Sequence, residues 1–205
     1  MKTKSDMHAA RKIWHLSSGF LVVLIYHSLA LPQRTWAYIA LVIGLLATTF
    51  DVLRINIPSI KKHATKFLAP ILREEEYNSF TGVPFYAFGC FITLYFNSEQ
   101  WALTSIYFLV FVDPLASFFG IKFGKKKILG DKTWVGLLAG ISTGVLVCWF
   151  TCQVLFHLPF NGMFYLLAGL SVGLIESLSW KIEDNFSIPA FSGFALTLLS
   201  HLLKY

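Results

Sequence analysis

Long apolar runs separated by short polar segments make up most of the chain. A helix needs about 20 mostly apolar residues to cross a bilayer. Five runs approach or exceed that length, and they cover residues 13–31, 36–53, 101–119, 135–157 and 163–180. Two shorter runs of the same character cover residues 83–96 and 188–203. The pattern predicts an all-α, polytopic integral membrane protein with about seven transmembrane helices.

The composition supports this prediction. Of the 205 residues, 56% are hydrophobic and only 14% are charged, which leaves too few polar groups to cover a soluble domain. Residues 1–205 are expected to form a single transmembrane domain with cytoplasmic loops at 54–81 and 120–134, because no polar segment is long enough for a second domain. In the loop at 54–81, apolar residues recur at helical spacing among lysines, which predicts an amphipathic surface helix.

The basic residues fall almost entirely on one side of the predicted membrane. Fifteen of the 17 Lys and Arg residues lie in the N-terminal segment and in the second, fourth and sixth loops, whereas Arg34 and Lys204 lie on the other side. Basic loops stay in the cytoplasm, so the N-terminus is predicted to be cytoplasmic. The net charge of +6 then indicates contact with anionic headgroups or phosphates, and no nucleic-acid partner is expected.

An alternative interpretation concerns the first apolar run. Basic residues, an apolar run and the sequence SLA at 28–30 resemble a cleaved signal peptide. The run is long for that role and Pro32 follows it closely, so a retained first helix is favoured.

Ionisable residues occur at the predicted cytoplasmic ends of the helices. They are His15, Asp51, Asp113 and Glu176, followed just beyond the sixth span by Glu183, Asp184 and Asn185. Ionisable side chains within a membrane are costly and usually face a partner, a cavity or a ligand, so these residues are expected to share one polar site. Asp113 and Glu176 are the main candidates, since their neighbours in sequence are apolar. His15 could instead be a structural histidine, and Asp51 could simply pair with Arg54.

The glycines form two groups. Those in the fifth and sixth spans are Gly136, Gly140, Gly144, Gly169 and Gly173. Their four-residue spacing is typical of closely packed membrane helices. Gly120, Gly124 and Gly130 instead lie among lysines, ahead of Lys132 and Thr133 at the start of the next predicted helix. Backbone N–H groups, ammonium groups and a helix N-terminus favour phosphate binding, although a solvated basic loop is an alternative.

These features together suggest a reaction. Mg²⁺ binds through a few carboxylates and substrate phosphates, while lysines neutralise the remaining charge. A site at the cytoplasmic interface can accept a soluble nucleotide from one side and a lipid headgroup from the other. Phosphoryl or nucleotidyl transfer to a lipid fits this arrangement.

Five stretches carry a resemblance to a known family. They are RKIWHLSSG (11–19), TGVPFYAFGC (81–90), FVDPLASFFGIKFGKKK (111–127), DKTWVG (131–136) and ESLSWKIEDNFSIPAFSG (176–193). Together they resemble the CTP-dependent lipid kinases, which include dolichol kinase, phytol kinase and the yeast-type diacylglycerol kinase and are related to phosphatidate cytidylyltransferases. The chain departs from that family's pattern at Pro114, Val135 and Glu183.

The resemblance implies CTP as the phosphoryl donor, Mg²⁺ as the metal and a lipid alcohol as the acceptor. It implies catalytic roles for Asp113, Lys132, Glu176 and Asp184, the three acids also being the implied metal ligands. The implied nucleotide-binding residues are Lys12, His15, Gly120, Gly124, Lys125, Lys132, Thr133 and Asn185. The sequence leaves open which acid acts as the base, and whether the acceptor is polyprenol, phytol or diacylglycerol.

Two other functions compete with lipid phosphorylation. A phosphatidate cytidylyltransferase also combines CTP with a membrane lipid, but its usual C-terminal signature contains His-Gly-Gly, which FSIPAFSGFALTLLSHLLKY (186–205) lacks. A transporter would place polar residues near the middle of the bilayer, whereas here they gather at one face. The sequence leaves open whether the protein forms a homo-oligomer, because stripes of glycine allow close packing both within and between chains.

Overall fold

The computed structural model describes residues 4–68, 72, 75–158, 162–179 and 182–203, with side chains described from residue 15 onward except at position 75. Helices account for nearly all of this part of the chain. They are α1 (Lys4–Leu29), α2 (Gln33–Asn56), α3 (Pro58–Leu68), α4 (Gly82–Phe96), α5 (Glu99–Phe123), α6 (Trp134–Phe150), α7 (Gly162–Leu178) and α8 (Asp184–Leu202). A 3₁₀ turn at Glu75–Tyr77 precedes α4, and a π-helical turn at Thr151–Leu155 continues α6. Two short antiparallel strands, β1 (Lys127–Leu129) and β2 (Lys132–Thr133), form a hairpin between α5 and α6.

The helices agree with the apolar runs of the sequence. Each of the seven predicted segments coincides with one helix, and α3 is the amphipathic helix predicted within 54–81. The segment 120–134, predicted as a cytoplasmic loop, contains the end of α5 and the hairpin, and its side of the membrane stays a prediction. Helix α5 continues to Phe123, where Gly124 ends it by donating its N–H to the carbonyl of Gly120 at 3.0 Å, and the hairpin fills most of the remainder. Apart from this hairpin, the described residues confirm the all-α prediction.

Among the described residues, three helices are long and apolar enough to cross a membrane: α2, α5, and α6 together with its π-helical turn. Residues His15–Leu29 of α1, together with α4 and α7, are shorter apolar helices. Large apolar side chains on the outer faces, such as Leu46 of α2 and Leu178 of α7, remain 66% and 65% exposed. Such a surface suits contact with lipid, since it would be unfavourable in water. Seven spans and a cytoplasmic N-terminus stay predictions.

Helix α5 lies at the centre of the bundle. Its residues from Trp101 to Val110 are all buried, and it contacts α1, α4, α6, α7 and α8. Helix α6 packs between α5 and α7, α8 packs against α4, α5 and α7, and α2 packs against α4. Because α5, α7 and α8 are mutual neighbours, the polar residues at their ends are brought together.

The glycine stripes of α6 and α7 allow these two helices to pack closely, as the sequence predicts. A Cβ atom built on Gly144 would lie 3.0 Å from the Cα of Gly169, and one on Gly173 would lie 3.1 Å from the backbone nitrogen of Ile141. Distances of this kind leave no room for a side chain at either glycine.

Gly169→Ala is therefore expected to destabilise the protein by about 2–3 kcal/mol through overpacking. The new methyl group would lie 2.7 Å from the carbonyl oxygen of Ile141 and 2.9 Å from the nitrogen of Val145, and backbone atoms cannot rotate away. Gly140→Ala is the matched control, since its nearest contact would be an ordinary 3.5 Å. The melting temperatures of the two variants are compared by thermal unfolding in detergent, followed by size-exclusion chromatography. Equal melting temperatures would contradict the packing role of Gly169.

Candidate active site

Three acidic residues from three helices meet at one end of the bundle. Asp113 lies in the second half of α5, Glu176 in the last turn of α7 and Asp184 in the first turn of α8. One carboxylate oxygen from each lies within 4.8 Å of the others. Glu176 is buried, whereas the side chains of Asp113 and Asp184 are each 23% exposed, so the cluster opens to the surface on one side.

Lys132 supplies the positive charge next to this cluster. Its Nζ donates to Glu176 Oε1 at 2.6 Å and to Asp184 Oδ2 at 2.9 Å. Burial tends to lower the pKa of Lys132, but the carboxylates of Asp184 and Glu176 raise it on balance, so the lysine stays protonated. The hairpin places it there: Gly130 takes a positive φ of 53° at the turn, and Leu129 pairs with Lys132.

One lysine does not balance three carboxylates. Burial first, and then the charge of Asp113, raise the pKa of Asp184 to about 7, although Lys132 opposes the shift. The other oxygen of this carboxylate, Oδ1, is buried and has no hydrogen-bond partner among the described residues. Three carboxylate donors within reach of one another, one of them with an unused oxygen, fit a hard divalent cation such as Mg²⁺.

Thr133 and the glycines near it have a packing role. The hydroxyl of Thr133 accepts a hydrogen bond from the N–H of Gly136 at 3.1 Å and so caps the N-terminus of α6. A Cβ on Gly120 would lie 3.0 Å from this hydroxyl oxygen, and one on Gly124 would collide with it. The N–H of Gly124 is donated to the carbonyl of Gly120. Any role of these three residues in nucleotide binding stays a prediction.

Four other residues were predicted to contact the nucleotide. His15 is close: its Nε2 lies 3.9 Å from Asp113 Oδ2 and 3.3 Å from the carbonyl of Leu109. Asn185 follows Asp184 directly, and Lys125 is exposed in the segment before the hairpin. The side chain of Lys12 lies outside the described residues.

Asp51 and Arg54 do form the ion pair that the sequence allowed. Both are buried, and Arg54 donates to Asp51 Oδ1 through Nε at 3.0 Å and Nη2 at 2.9 Å. Its remaining donors bind backbone carbonyls of Glu76 at 2.9 Å, Tyr77 at 3.4 Å and Ser79 at 2.6 Å. These five contacts match the five N–H groups of the guanidinium. The ion pair therefore holds the segment 76–79 in place.

This network continues toward the acids, a connection that the sequence did not reveal. Asp51 Oδ2 accepts from the N–H and the hydroxyl of Thr81 at 2.7 and 2.8 Å. Glu76 Oε1 accepts from the N–H of Gly82 at 3.0 Å, and the carbonyl of Gly82 accepts from Asn185 Nδ2 at 3.5 Å. Thr81 before an apolar helix was the available signal, since threonine is a preferred residue at a helix start. The buried pair thus supports the segment against which the start of α8 packs.

Comparison with known proteins identifies similar sequences along the whole chain. The model of the cytidylyltransferase family matches residues 2–198. The CTP-dependent diacylglycerol kinase 1 of Schizosaccharomyces pombe is 30% identical over 207 residues, which cover 92% of this chain and 92% of the relative. The protein of the same name from Saccharomyces cerevisiae is 25% identical over 95% of this chain and 74% of its own length. An uncharacterized protein of Rickettsia prowazekii is 28% identical over 99% of this chain and its own full length. No solved structure matches.

Proposed function

The chain belongs to the cytidylyltransferase family, and from that premise we propose that it is a CTP-dependent lipid kinase whose acceptor is diacylglycerol. The names of its fungal relatives support CTP as the donor and diacylglycerol as the acceptor. The observation that carries the proposal is the cluster of Asp113, Glu176 and Asp184 with Lys132 between two of the acids. Carboxylates beside a fixed ammonium group suit phosphoryl transfer, which depends mainly on positioning and charge stabilisation.

The reaction would proceed by in-line displacement at the γ-phosphorus of CTP. The hydroxyl oxygen of the lipid bonds to the γ-phosphorus, the bond to the bridging oxygen breaks, and CDP leaves. The hydroxyl proton passes to a carboxylate of the cluster. Lys132 stays protonated and stabilises the negative charge of the phosphates. His15, next to Asp113, orients that carboxylate or contacts a substrate at the open side of the cluster.

Asp113, Glu176 and Asp184 would hold Mg²⁺. Bound there, the cation would neutralise negative charge on the phosphate oxygens and on the acids themselves. The charge excess of the cluster and the unused oxygen of Asp184 support this assignment. The predicted topology places the cluster at the cytoplasmic surface, where CTP arrives from solution and the lipid from the bilayer.

The acceptor is identified with purified protein in mixed micelles containing CTP, Mg²⁺ and one lipid at a time. Diacylglycerol, a polyprenol and phytol serve as alcohol acceptors, and phosphatidate tests the cytidylyltransferase alternative. We expect CDP and phosphatidate to form in equal amounts from diacylglycerol. Release of pyrophosphate with phosphatidate as the only active lipid would instead show nucleotidyl transfer and contradict the proposal.

Lys132→Gln is expected to lower kcat/KM for CTP by roughly 100-fold, because the fixed charge next to the acids is lost. Lys127→Gln, in the other strand of the same hairpin, is the matched control: its ion pair with Asp131 is exposed, and surface pairs contribute little. Initial rates at varied CTP concentration give kcat/KM for both variants. A similar change in both variants would contradict a specific role for Lys132.

A further inference from the structure

A shallow groove lies between α3 and the segment before α4, away from the acid cluster. Its volume is about 530 Å³, and it is lined by Pro58, Lys61, Lys62, Thr65, Lys66 and Tyr77. The sequence of α3, PSIKKHATKFL, contains three lysines and a histidine but no acidic residue. The lining residues recur at helical spacing, so the lysines share one face of α3.

Two of the lysines and one hydroxyl group in this groove are available for a ligand. Lys61 is fixed by a 2.5 Å contact with the side-chain oxygen of Asn78. Lys62 and Lys66 are exposed and have no ion-pair partner among the described residues. Between them, Thr65 Oγ1 is buried and has no hydrogen-bond partner in that part of the chain. A buried hydroxyl usually has a partner, so its place in the same groove as two lysines that lack an ion-pair partner among the described residues indicates a polar ligand that accepts hydrogen bonds.

The opposite face of α3 is largely apolar and partly exposed. It contains Ile60, Ala64 and Phe67, which lie next to Phe50 of α2. Phe67 is 85% exposed, the highest exposure among the large hydrophobic side chains of the described residues. Helix α2 itself is long and apolar enough to cross a membrane, and only Ile57 separates its end from α3. A helix with this division of faces, attached to the end of a spanning helix, is suited to lie in the membrane interface.

We propose that α3 lies in the membrane interface and binds an anionic membrane lipid, with the phosphate of the headgroup contacting Lys62, Lys66 and Thr65, while Phe67 and Ile60 on the other face of the helix lie among acyl chains of the bilayer. Complementary charge selects the occupant: a phosphodiester brings a negative charge to two unpaired lysines and accepts a hydrogen bond from the threonine hydroxyl. A zwitterionic lipid gains less, because its own cationic group opposes the lysines. This binding is independent of the kinase activity.

The test measures lipids retained by the full-length protein. Wild type and the variant Lys62→Gln/Lys66→Gln are purified in mixed micelles containing equal amounts of phosphatidylglycerol and phosphatidylcholine, and retained lipids are counted by native mass spectrometry. We expect wild type to prefer phosphatidylglycerol and the preference of the variant to be lower by roughly 25-fold, since two basic residues near an anionic surface contribute about fivefold each. The variant Lys122→Gln/Lys126→Gln removes the same charge elsewhere and should keep the wild-type preference.

Three results would overturn the proposal. In the first, the α3 variant retains phosphatidylglycerol as wild type does. In the second, the two double variants lose the preference equally, which would mean that net charge alone selects the lipid. In the third, the α3 variant binds CTP more weakly while its retained lipids are unchanged, which would assign the lysines to the nucleotide. Thr65→Val, which keeps the shape and removes the hydroxyl, should lower the preference less than the double variant does.

Discussion

Asp113→Asn is expected to lower kcat for lipid phosphorylation by at least about 100-fold while the protein remains folded. The substitution keeps the shape of the side chain but removes one of the three charges that the proposed cation needs. Altering the groups that merely support metal ligands already costs 10- to 100-fold, so loss of a ligand charge should cost more. Because the side chain is partly exposed, little stability should be lost. Rates at saturating CTP and lipid, together with the melting temperature, measure both effects.

Asp131→Asn serves as the control for Asp113→Asn. Asp131 lies at the exposed turn of the hairpin, where Lys127 lowers its pKa through a hydrogen bond. We expect a rate within about twofold of wild type, as is usual for an exposed ion pair. Binding of Mn²⁺, followed by electron paramagnetic resonance, separates the two variants without reference to turnover. Full activity of Asp113→Asn, or unchanged Mn²⁺ binding by this variant, would show that the carboxylate has no role in the site.

Arg54→Met is expected to lower the melting temperature by about 10 °C or more. The guanidinium group is fully buried, and its loss would leave the Asp51 carboxylate without its cation and three backbone carbonyls without a donor. Breaking a buried ion pair costs about 3–5 kcal/mol, and in a chain of this size each kcal/mol lowers the melting temperature by about 2–4 °C. Thermal unfolding in detergent measures the loss.

Activity below the melting temperature then tests the connection from Arg54 to the acids. The segment that Arg54 holds ends at Gly82, which contacts Asn185 next to Asp184, so the Mg²⁺ concentration for half-maximal rate should rise as well. Arg34→Met is the matched control on the same helix. That arginine lies 4.3 Å from the ring centre of Tyr95 at an exposed position, and such a contact contributes about 0.5–1 kcal/mol. Equal loss of stability in both variants would show that the buried network has no special importance.

The apolar runs predicted the helices because lipid-exposed and core-facing residues are both apolar here, so hydropathy alone marks the segments. It did not predict the hairpin at Lys127–Thr133. Five residues of two short strands leave almost no alternating pattern, and the lysines of this segment are typical of a solvated loop. The hairpin nevertheless decides where Lys132 lies.

The candidate site was predictable in part. Asp113 and Glu176 stood out because acids among apolar residues need a partner, and the structure places them together with Asp184. The partner, Lys132, is 44 residues from Glu176 in sequence, and no local pattern gives that distance. The same limit applies to the contacts of Arg54 with residues 76–79, since only the pairing with Asp51 lies within one helix. Gly120 and Gly124 illustrate the reverse problem, because close packing and phosphate binding favour the same residue.

The fate of each phosphorus atom of CTP tests the central claim most directly. Purified protein is incubated with diacylglycerol, Mg²⁺ and CTP labelled at either the α- or the γ-phosphate, and the lipid phase is analysed. A CTP-dependent kinase must transfer the γ-label to phosphatidate and leave the α-label in CDP. Appearance of the α-label in the lipid, or of neither label, would contradict the account.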